Sequence, residues 1–589
     1  MCGIAGFYLK QGHQADAATA GKLARALAHA LEHRGPDGEG LWLQGAMALV
    51  HRRLSIIDVE GGRQPLFAAN TTVAGVMNGE IYNYKALQEQ AVQDGAQLVT
   101  RSDSEPFFHR VAQVGSGAAL EELQGMFALA VAQPAGGTLE LAVDRFGIKP
   151  LYYCETSVGF AFASEPKALL HAGWVRPEVN APLLGGLLNK HSSTGAETLF
   201  KGIFRLLPGE HLTVKDGTVV ARQRRLPRMA APVAPEGDMV AQFGARFTEA
   251  VARHLVADVP FGLLLSGGLD SSAILCAMKE LGAPLVAYTA HIGEGRVDEA
   301  TAAAALCAKV GAEHVVVPYG EEDFWPGVVE MAWAMDDLTT DYAALPLLKL
   351  TRRARADVKI LLSGEGGDEM LGGYSGYRKK RGLLWRWKQR RAGDAAAFRW
   401  LFRQPVVMPE APPLPWGSAG LSELQTRQLA DVNGWLPHDL LLKLDRTTMV
   451  NGVEGRVPFL DDRFAPWAFA LPDAAKVHQH GPHDYGKYIL RQHLESLGHG
   501  EMAWARKQGF SVAVGAFMQR HPGRVRAMWQ ASETVQRLLK PQAAESLLGG
   551  LRHPKTANLS FSLLLVAVWE LLHVQGVGRD EVLERMMRG

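Results

Sequence analysis

Short apolar runs alternate with helix-period segments over roughly the first two hundred residues of the chain. Strands are predicted at residues 4–9, 46–50, 73–77, 127–131 and 139–143, and an Ala-rich helix at 17–32 is stopped by Arg34-Gly35-Pro36-Asp37-Gly38. This mixture predicts an α+β domain. Between Ala221 and Asp238 three prolines and the absence of any apolar period predict a linker. Beyond it come a helix at 239–255, a buried strand at 259–265, a Gly-rich turn, a helix from Ser271 and a strand at 285–290. A third strand, 358–362, runs into Ser363-Gly364-Glu365-Gly366-Gly367-Asp368. Strand, turn, helix and strand in that order predict a parallel sheet, and polar turns at the carboxyl ends of its strands are where such sheets bind ligands. The remainder reads as mostly helical.

Composition narrows the function classes. With 589 residues, 47% hydrophobic and 21% charged, the chain has room for several cores, up to about four domains. Lys plus Arg (62) nearly cancels Asp plus Glu (61), so no global field attracts nucleic acid or an anionic membrane. The 4 cysteines form no C-x-x-C pair, which points to a reducing compartment and no structural zinc. The longest apolar run, residues 563–569, stops at Glu570, far short of the ~18 residues of a membrane span. Met-Cys-Gly-Ile-Ala-Gly is not a secretory leader. A soluble, cytoplasmic protein is expected, with no nucleic-acid or membrane partner.

Cys2 follows the initiator Met, whose removal exposes a thiol and an α-amine on one residue. An α-amine of pKa ~7.7 to 8.0 can take a proton from a thiol of ~8.5 and return it to a leaving group. Alone, a second-position Cys is ordinary. Asn78-Gly79-Glu80-Ile81-Tyr82-Asn83 is by default a hairpin turn, but an Asn amide and a neighbouring backbone N–H can also form an oxyanion hole. His51-Arg52-Arg53-Leu54-Ser55-Ile56 and Arg101-Ser102-Asp103-Ser104-Glu105 supply a guanidinium and a carboxylate, the two charges that an amino-acid substrate needs for its carboxylate and ammonium, although each is by default a surface charge.

Together, Met-Cys-Gly-Ile-Ala-Gly, His33-Arg34-Gly35-Pro36-Asp37, Arg53-Leu54-Ser55-Ile56, Asn78-Gly79-Glu80-Ile81-Tyr82-Asn83, Ser102-Asp103-Ser104-Glu105 and Asp144-Arg145-Phe146-Gly147-Ile148-Lys149-Pro150-Leu151-Tyr152 resemble the glutaminase domain of the glutamine-hydrolysing asparagine synthetases, a class II amidotransferase domain. The resemblance implies an N-terminal-nucleophile hydrolase αββα sandwich over residues 2–210, then a connecting segment at 211–238. It implies Cys2 as nucleophile, Asn78 and Gly79 as oxyanion hole, Arg53 on the glutamine carboxylate, and Asp103 with Glu80 on its amino group.

Leu265-Ser266-Gly267-Gly268-Leu269-Asp270-Ser271-Ser272 lies between a strand and a helix, where backbone N–H groups, Ser hydroxyls and a helix amino terminus cradle an anion and Asp270 can hold a metal. No Walker A loop and no dinucleotide fingerprint occurs. The turn resembles the PP-loop of ATP pyrophosphatases, which leave AMP on a carboxylate. Ser363 to Glu369, Lys443-Leu444-Asp445-Arg446, Gly455 to Asp461 and Arg506-Lys507-Gln508-Gly509-Phe510 resemble later synthetase segments, so that residues 239–589 are expected to form an α/β parallel-sheet synthetase domain with a largely helical C-terminal part. The resemblance implies ATP at residues 265–268, 270–272, Ser363 and Gly364, Mg²⁺ on Asp270 and Asp368, Glu365 assisting amine deprotonation, and Lys507 at the α-phosphate.

Two features stand apart. Arg446 occupies a position where many members carry Lys, and no catalytic role is assigned to it. The run from Arg378 to Arg391 is basic with two Trp, a composition that suits a solvated helix or an anionic surface. The reading that follows is glutamine- and ATP-dependent amide synthesis, with ammonia released at Cys2 crossing an enclosed passage to an acyl-adenylate. Aspartate is the expected acceptor and asparagine the product. The alternatives are a larger carboxylate such as a peptide or sugar acid, or a ring-closing synthetase above an inert glutaminase domain. The expected partners are therefore the small molecules glutamine, ATP and a carboxylate, and a homodimer is the expected protein assembly.

Overall fold

The computed structural model describes residues 2–13, 15–68, 72–293, 299–378, 398–404, 406, 414–417, 419–480, 483–505 and 512–589. In the first part of the chain, β1 (Gly3–Leu9), β2 (Gly38–Gln44), β3 (Met47–Arg53), β4 (Leu66–Ala68), β5 (Val73–Ile81), β6 (Gly125–Gln133), β7 (Thr138–Val143), β8 (Tyr152–Glu155), β9 (Gly159–Ala163), β10 (Phe204–Arg205), β11 (Glu210–Lys215) and β12 (Thr218–Arg224) form two antiparallel sheets. Their orders are β10-β8-β9-β1-β3-β2 and β12-β11-β7-β6-β5-β4.

The pleat of β1 explains how they stack. Ile4 and Tyr8 face the second sheet and join Val76, Ala128 and Ala130, whereas Ala5, Phe7 and Leu9 pack on Ala24 and Leu27 of the helix Ala17–Ala30. Asp16 caps that helix, accepting from the Thr19 N–H at 2.7 Å. On the far face of the second sheet, Met77, Leu129 and Val131 pack on Phe107 and Phe108 of the helix Glu105–Glu122. The result is the αββα sandwich expected from the resemblance. Strands buried on both faces read as unbroken apolar runs, which is why these central strands were visible in the sequence.

Two local readings change. Asn78-Gly79 is not a hairpin: β5 runs through it to Ile81, with Asn78 opposite Ala128 and Gly79 opposite Phe127. A Cβ at Gly79 would lie 2.1 Å from the Met126 carbonyl oxygen, so the close approach of β6 requires glycine there. The sandwich also continues past residue 210. β11 pairs with β7, and β12 places Ala221 opposite Thr213 and Arg222 opposite Leu212, so the first residues of the expected linker are an edge strand. β12 is largely solvent-exposed, and a wet edge rich in Arg carries no apolar alternation to read.

The second part is built on a parallel sheet of β13 (Phe261–Leu264), β14 (Val286–Ile292), β15 (Glu313–Tyr319), β16 (Ile360–Leu362) and β17 (Glu454–Arg456), ordered β15-β14-β13-β16-β17. The order reverses direction at β13. The turns after β13 and β16 therefore flank one crevice at the carboxyl ends of the strands. Among the described residues one helix, Pro554–Val574, is long and apolar enough by length and composition to cross a membrane, which the run at 563–569 did not suggest; 89% of its most apolar window is buried inside the protein. Trp569 on it packs against Phe200 of the first domain, the ring centroids 4.7 Å apart and the planes tilted by 36°, and donates its indole N–H to the Asp336 carbonyl at 2.7 Å. It is a core helix shared by both domains.

Lys476 is wholly buried, and its ammonium donates only to the Gln428 side-chain oxygen (3.2 Å) and the Phe469 carbonyl, with no carboxylate in ion-pair reach among the described residues. Burial draws its pKa down to about 7. In the unfolded chain the same amine holds its proton up to ~10.4, so between those values the unfolded state binds more protons and stability rises with pH. Lys476→Met is expected to flatten that rise; denaturant midpoints measured between pH ~7 and ~9.5 check it, and an unchanged slope would refute the assignment.

Candidate active sites

The first site lies between the two sheets. The backbone nitrogen of Cys2 donates to Asn78 Oδ1 at 2.8 Å, and the thiol approaches the Leu54 carbonyl at 3.9 Å. The other half of the Asn78 amide, Nδ2, is buried without a partner. A buried donor so placed beside the Cys2 thiol is satisfied only when an acceptor arrives. Burial pushes the Cys2 thiol up, and His51, also buried nearby on β3, is held neutral, down to about 3, by burial and by Arg53. Arg34 donates from Nε to the Cys2 carbonyl at 3.2 Å and from its outer nitrogens to Glu165 and, bidentately, to Asp445 of the second domain at 2.8 and 3.0 Å.

The two carboxylates expected at the glutamine ammonium are both present here. Asp103 accepts from the Ile81 N–H at 2.9 Å and from Ser104 at 3.2 Å. Glu80 gives one oxygen to Arg456 at 2.9 Å and keeps the other buried and unpartnered; burial and the neighbouring Asp103 push its pKa up. Arg53 is turned to its own loop, donating to the Val59 carbonyl at 2.9 Å, Asp58 at 2.6 Å and Ile57 at 3.4 Å. It makes no ion pair among the described residues, so the cation is fixed in place but not neutralised.

The second site is the crevice at β13 and β16. Gly267 turns the chain with φ +67°, Ser271 Oγ donates to the Gly268 carbonyl at 3.2 Å and accepts from the Ser266 N–H at 3.3 Å, and Ser272 Oγ is buried without a partner. Leu265 donates its N–H to the Tyr288 carbonyl, continuing the strand register to the mouth of the turn. Ser363 donates its N–H to the Arg456 carbonyl at 2.8 Å. The two turns touch: a Cβ on Gly364 would meet the Asp270 Cβ at 2.7 Å, and one on Gly367 the Asp270 carboxylate at 2.5 Å. Larger residues there would force the loops apart.

Asp270 and Asp368 converge on one cation, the Lys487 ammonium, which pairs with Asp270 and lies 2.8 Å from Asp368. The two carboxylates raise the Lys487 pKa against the pull of burial. Glu365, on the same turn, is pushed up by burial, while Lys443 beside it pairs with Asp341 at 2.5 Å. Asp439 stands next to them, its carboxyl raised to about 8 by burial and by Asp341. Lys487, Asp341 and Asp439 carried no sequence signal: Lys487 adopts φ +56° without any turn motif, and the acids come from separate segments. Lys507 and most of the basic run 378–391 lie outside the described residues.

Between the two centres Leu54, Ile56, Met126 and Ile148 of the first domain pack in one apolar cluster with Ile360, Leu362, Leu444 and Val457 of the second. An amino-terminal antiparallel sandwich joined through an apolar cluster to a parallel-sheet domain with two Gly-rich turns at its strand ends is the arrangement of a glutamine-dependent, ATP-using amide synthetase. Residues 1–224 match the glutamine amidotransferase domain family and residues 242–573, more than half of the chain, match the asparagine synthase family. The chain belongs to the asparagine synthase family. It is 28% identical to asparagine synthetase [glutamine-hydrolyzing] 1 of Bacillus subtilis (strain 168), over 98% of this chain and 97% of that protein. It is 29% identical to asparagine synthetase [glutamine-hydrolyzing] 3 of the same organism (87% of each) and 28% identical to asparagine synthetase B [glutamine-hydrolyzing] of Escherichia coli (strain K12), covering 87% and 83%.

Arg446, which had no role in the sequence, is 1% exposed and bonds Asp336 at 3.1 Å and Asp445 at 3.0 Å, with Glu165 at 3.7 Å. It belongs to the ionic network that docks the domains. Removing one member of such a network leaves buried charge unpaired, so Arg446→Gln is expected to destabilise the fold by about 3–5 kcal/mol. Chemical denaturation checks this; a loss below about 1 kcal/mol would return Arg446 to the candidates for a chemical role.

Proposed function

We propose that the protein converts aspartate to asparagine, with glutamine as nitrogen donor and ATP as activator, and the observation that carries the reading is the buried, unpartnered Asn78 Nδ2 beside Cys2. Cys2 Sγ attacks the glutamine side-chain amide carbon while its α-amine, freed by removal of Met1, takes the thiol proton. The tetrahedral oxyanion is received by Asn78 Nδ2 and the Gly79 N–H. The α-amine returns the proton to the departing nitrogen, ammonia leaves, and water releases glutamate from the thioester. Glu80 and Asp103 hold the substrate ammonium, and Arg53 its carboxylate.

Ammonia in water near neutral pH is mostly ammonium and no nucleophile, so the apolar seam of Leu54, Ile56, Met126 and Ile148 suits its passage. In the second domain the acceptor carboxylate attacks the α-phosphorus of ATP and pyrophosphate departs; ammonia then attacks the acyl carbon of the adenylate, Glu365 takes a proton from the incoming nitrogen, and the acyl–oxygen bond breaks to release AMP and the amide. The donor set around Asp270 and Asp368 fits a magnesium ion, two hard carboxylates already drawn to a single cation position by Lys487. Bound there with phosphate oxygens, the ion would neutralise the departing pyrophosphate. Lys507 is assigned to the same charge. Aspartate is favoured as acceptor because the Lys443–Asp341 ion pair beside Glu365 offers one charge of each sign, into which an acceptor carrying both a carboxylate and an ammonium can exchange.

Pyrophosphate exchange into ATP should require aspartate; exchange with a peptide or sugar acid but not with aspartate would overturn the acceptor assignment. Cys2→Ala should abolish glutamine-dependent product yet accept ammonium salts, with a gain of about tenfold per pH unit as NH₃ becomes available toward pH ~9. Glutamine-dependent synthesis by that variant near the original rate would remove Cys2 from the mechanism. Asp270→Ala should lower pyrophosphate release by ~10²- to 10⁴-fold while glutamine hydrolysis persists. Parallel loss of both activities would show that the two sites are not divided in this way.

A further inference from the structure

One side chain touches both sites. Arg456 is wholly buried on β17, the strand of the parallel sheet that faces the sandwich. Its guanidinium donates to Glu454 at 2.6 Å, to Glu80 in the glutamine site at 2.9 Å, and to the His254 and Val256 carbonyls at 2.7 Å each. Those two carbonyls lie at and just beyond the end of the helix Met239–His254, on the segment that enters β13 and so leads to the turn at Ser266. Its own carbonyl accepts the Ser363 N–H at 2.8 Å, and it pairs in register with Leu362 at the end of β16. A single residue thus holds Glu80 with its side chain and the approaches to both nucleotide turns with its side chain and main chain.

We infer that Arg456 is a positioning residue through which occupancy of the glutamine site and occupancy of the nucleotide crevice strengthen each other. This rests on the amidotransferase reading above. The physical cause is the state of Glu80, whose second oxygen is buried and unpartnered. Its neighbours are Asp103 and Glu454, both acidic, and Arg456 is the cation bonded to it. An incoming substrate ammonium at the open oxygen fixes Glu80 as a carboxylate, and a fixed carboxylate holds the guanidinium more firmly. The backbone of β17 is then restrained, and with it the Ser363 N–H and the entry to β13. By linkage, nucleotide that orders those turns must raise glutamine affinity by the same factor.

The test uses the full chain carrying Cys2→Ala, which cannot turn glutamine over. Equilibrium binding of ATP with magnesium is measured with and without glutamine, and of glutamine with and without the nucleotide. Each ligand is expected to tighten the other by one common factor of about five or more. In the Cys2→Ala chain that also carries R456K, which keeps the charge but cannot span Glu80, Glu454 and two carbonyls at once, that factor should fall close to one. A factor of one in the Cys2→Ala chain, or an undiminished factor with R456K, overturns the inference. Should R456K not fold, amide exchange at residues 361–367 in the Cys2→Ala chain decides: glutamine must slow it, and unchanged exchange is equally fatal. Glutamine that fails to bind the Cys2→Ala chain at all would defeat the amidotransferase reading itself, whereas binding without coupling defeats only the role of Arg456.

Discussion

The bidentate bond from Arg34 to Asp445 is the constraint on which the rest of the molecule hangs. The guanidinium is out of water, so it is tolerated only because Asp445 and Glu165 neutralise it and the Cys2 carbonyl takes its Nε–H. Those partners come from the nucleophile strand, the sandwich and the synthetase domain. Breaking any one of them strands the others. Domain docking and the orientation of Cys2 are therefore not separate problems, and the network of Arg446, Asp336 and Lys167 around them extends the same logic. Ionic pairs of this kind cost desolvation and give specificity of register in return, which suits an interface that must align two reaction centres.

The two centres differ in how they handle charge. In the first site Arg53 spends its hydrogen bonds on carbonyls, Glu80 keeps one oxygen open beside Asp103 while Arg456 holds the other, and both carboxyls are pushed up by burial. On the proposed reading, a zwitterionic amino acid meets the unpaired guanidinium with its carboxylate and the open Glu80 oxygen with its ammonium. The crevice is instead pre-neutralised, with Lys487 between Asp270 and Asp368 and Lys443 on Asp341. Polyanionic nucleotide is then met by cations already fixed in place, so little reorganisation accompanies departure of charge.

What could be read from the sequence was whatever is contiguous. Cys2, Asn78-Gly79, the Ser266 to Ser272 turn and the Ser363 to Asp368 turn are runs of neighbouring residues, and buried strands such as β5 and β6 show as apolar stretches. Even so, the Asn-Gly pair belonged to a strand interior, because the close approach of β6 at Met126 outweighs the local turn preference. Residues whose meaning depends on long-range contact gave no signal. Lys487 reaches Asp270 across 217 positions, Arg34 reaches Asp445 across 411, and nothing near either lysine or arginine announces the partner. β12 was hidden for the opposite reason, since an exposed edge has no burial pattern to print on the sequence.

The shared core helix Pro554–Val574 sets an order of assembly during synthesis. Its side chains complete a cluster that already contains Phe7 from the first strand, Leu187 and Phe200 from the end of the sandwich, and Phe324 and Met335 from the synthetase domain. A ribosome that has made the whole sandwich has not yet made the surface that covers Phe200. The nascent chain must carry an unfinished apolar face through translation of several hundred further residues, at ~5–20 residues per second. A chain truncated before residue 554 leaves that face uncovered, so the last part of the sequence to be made is needed to close the core of the first.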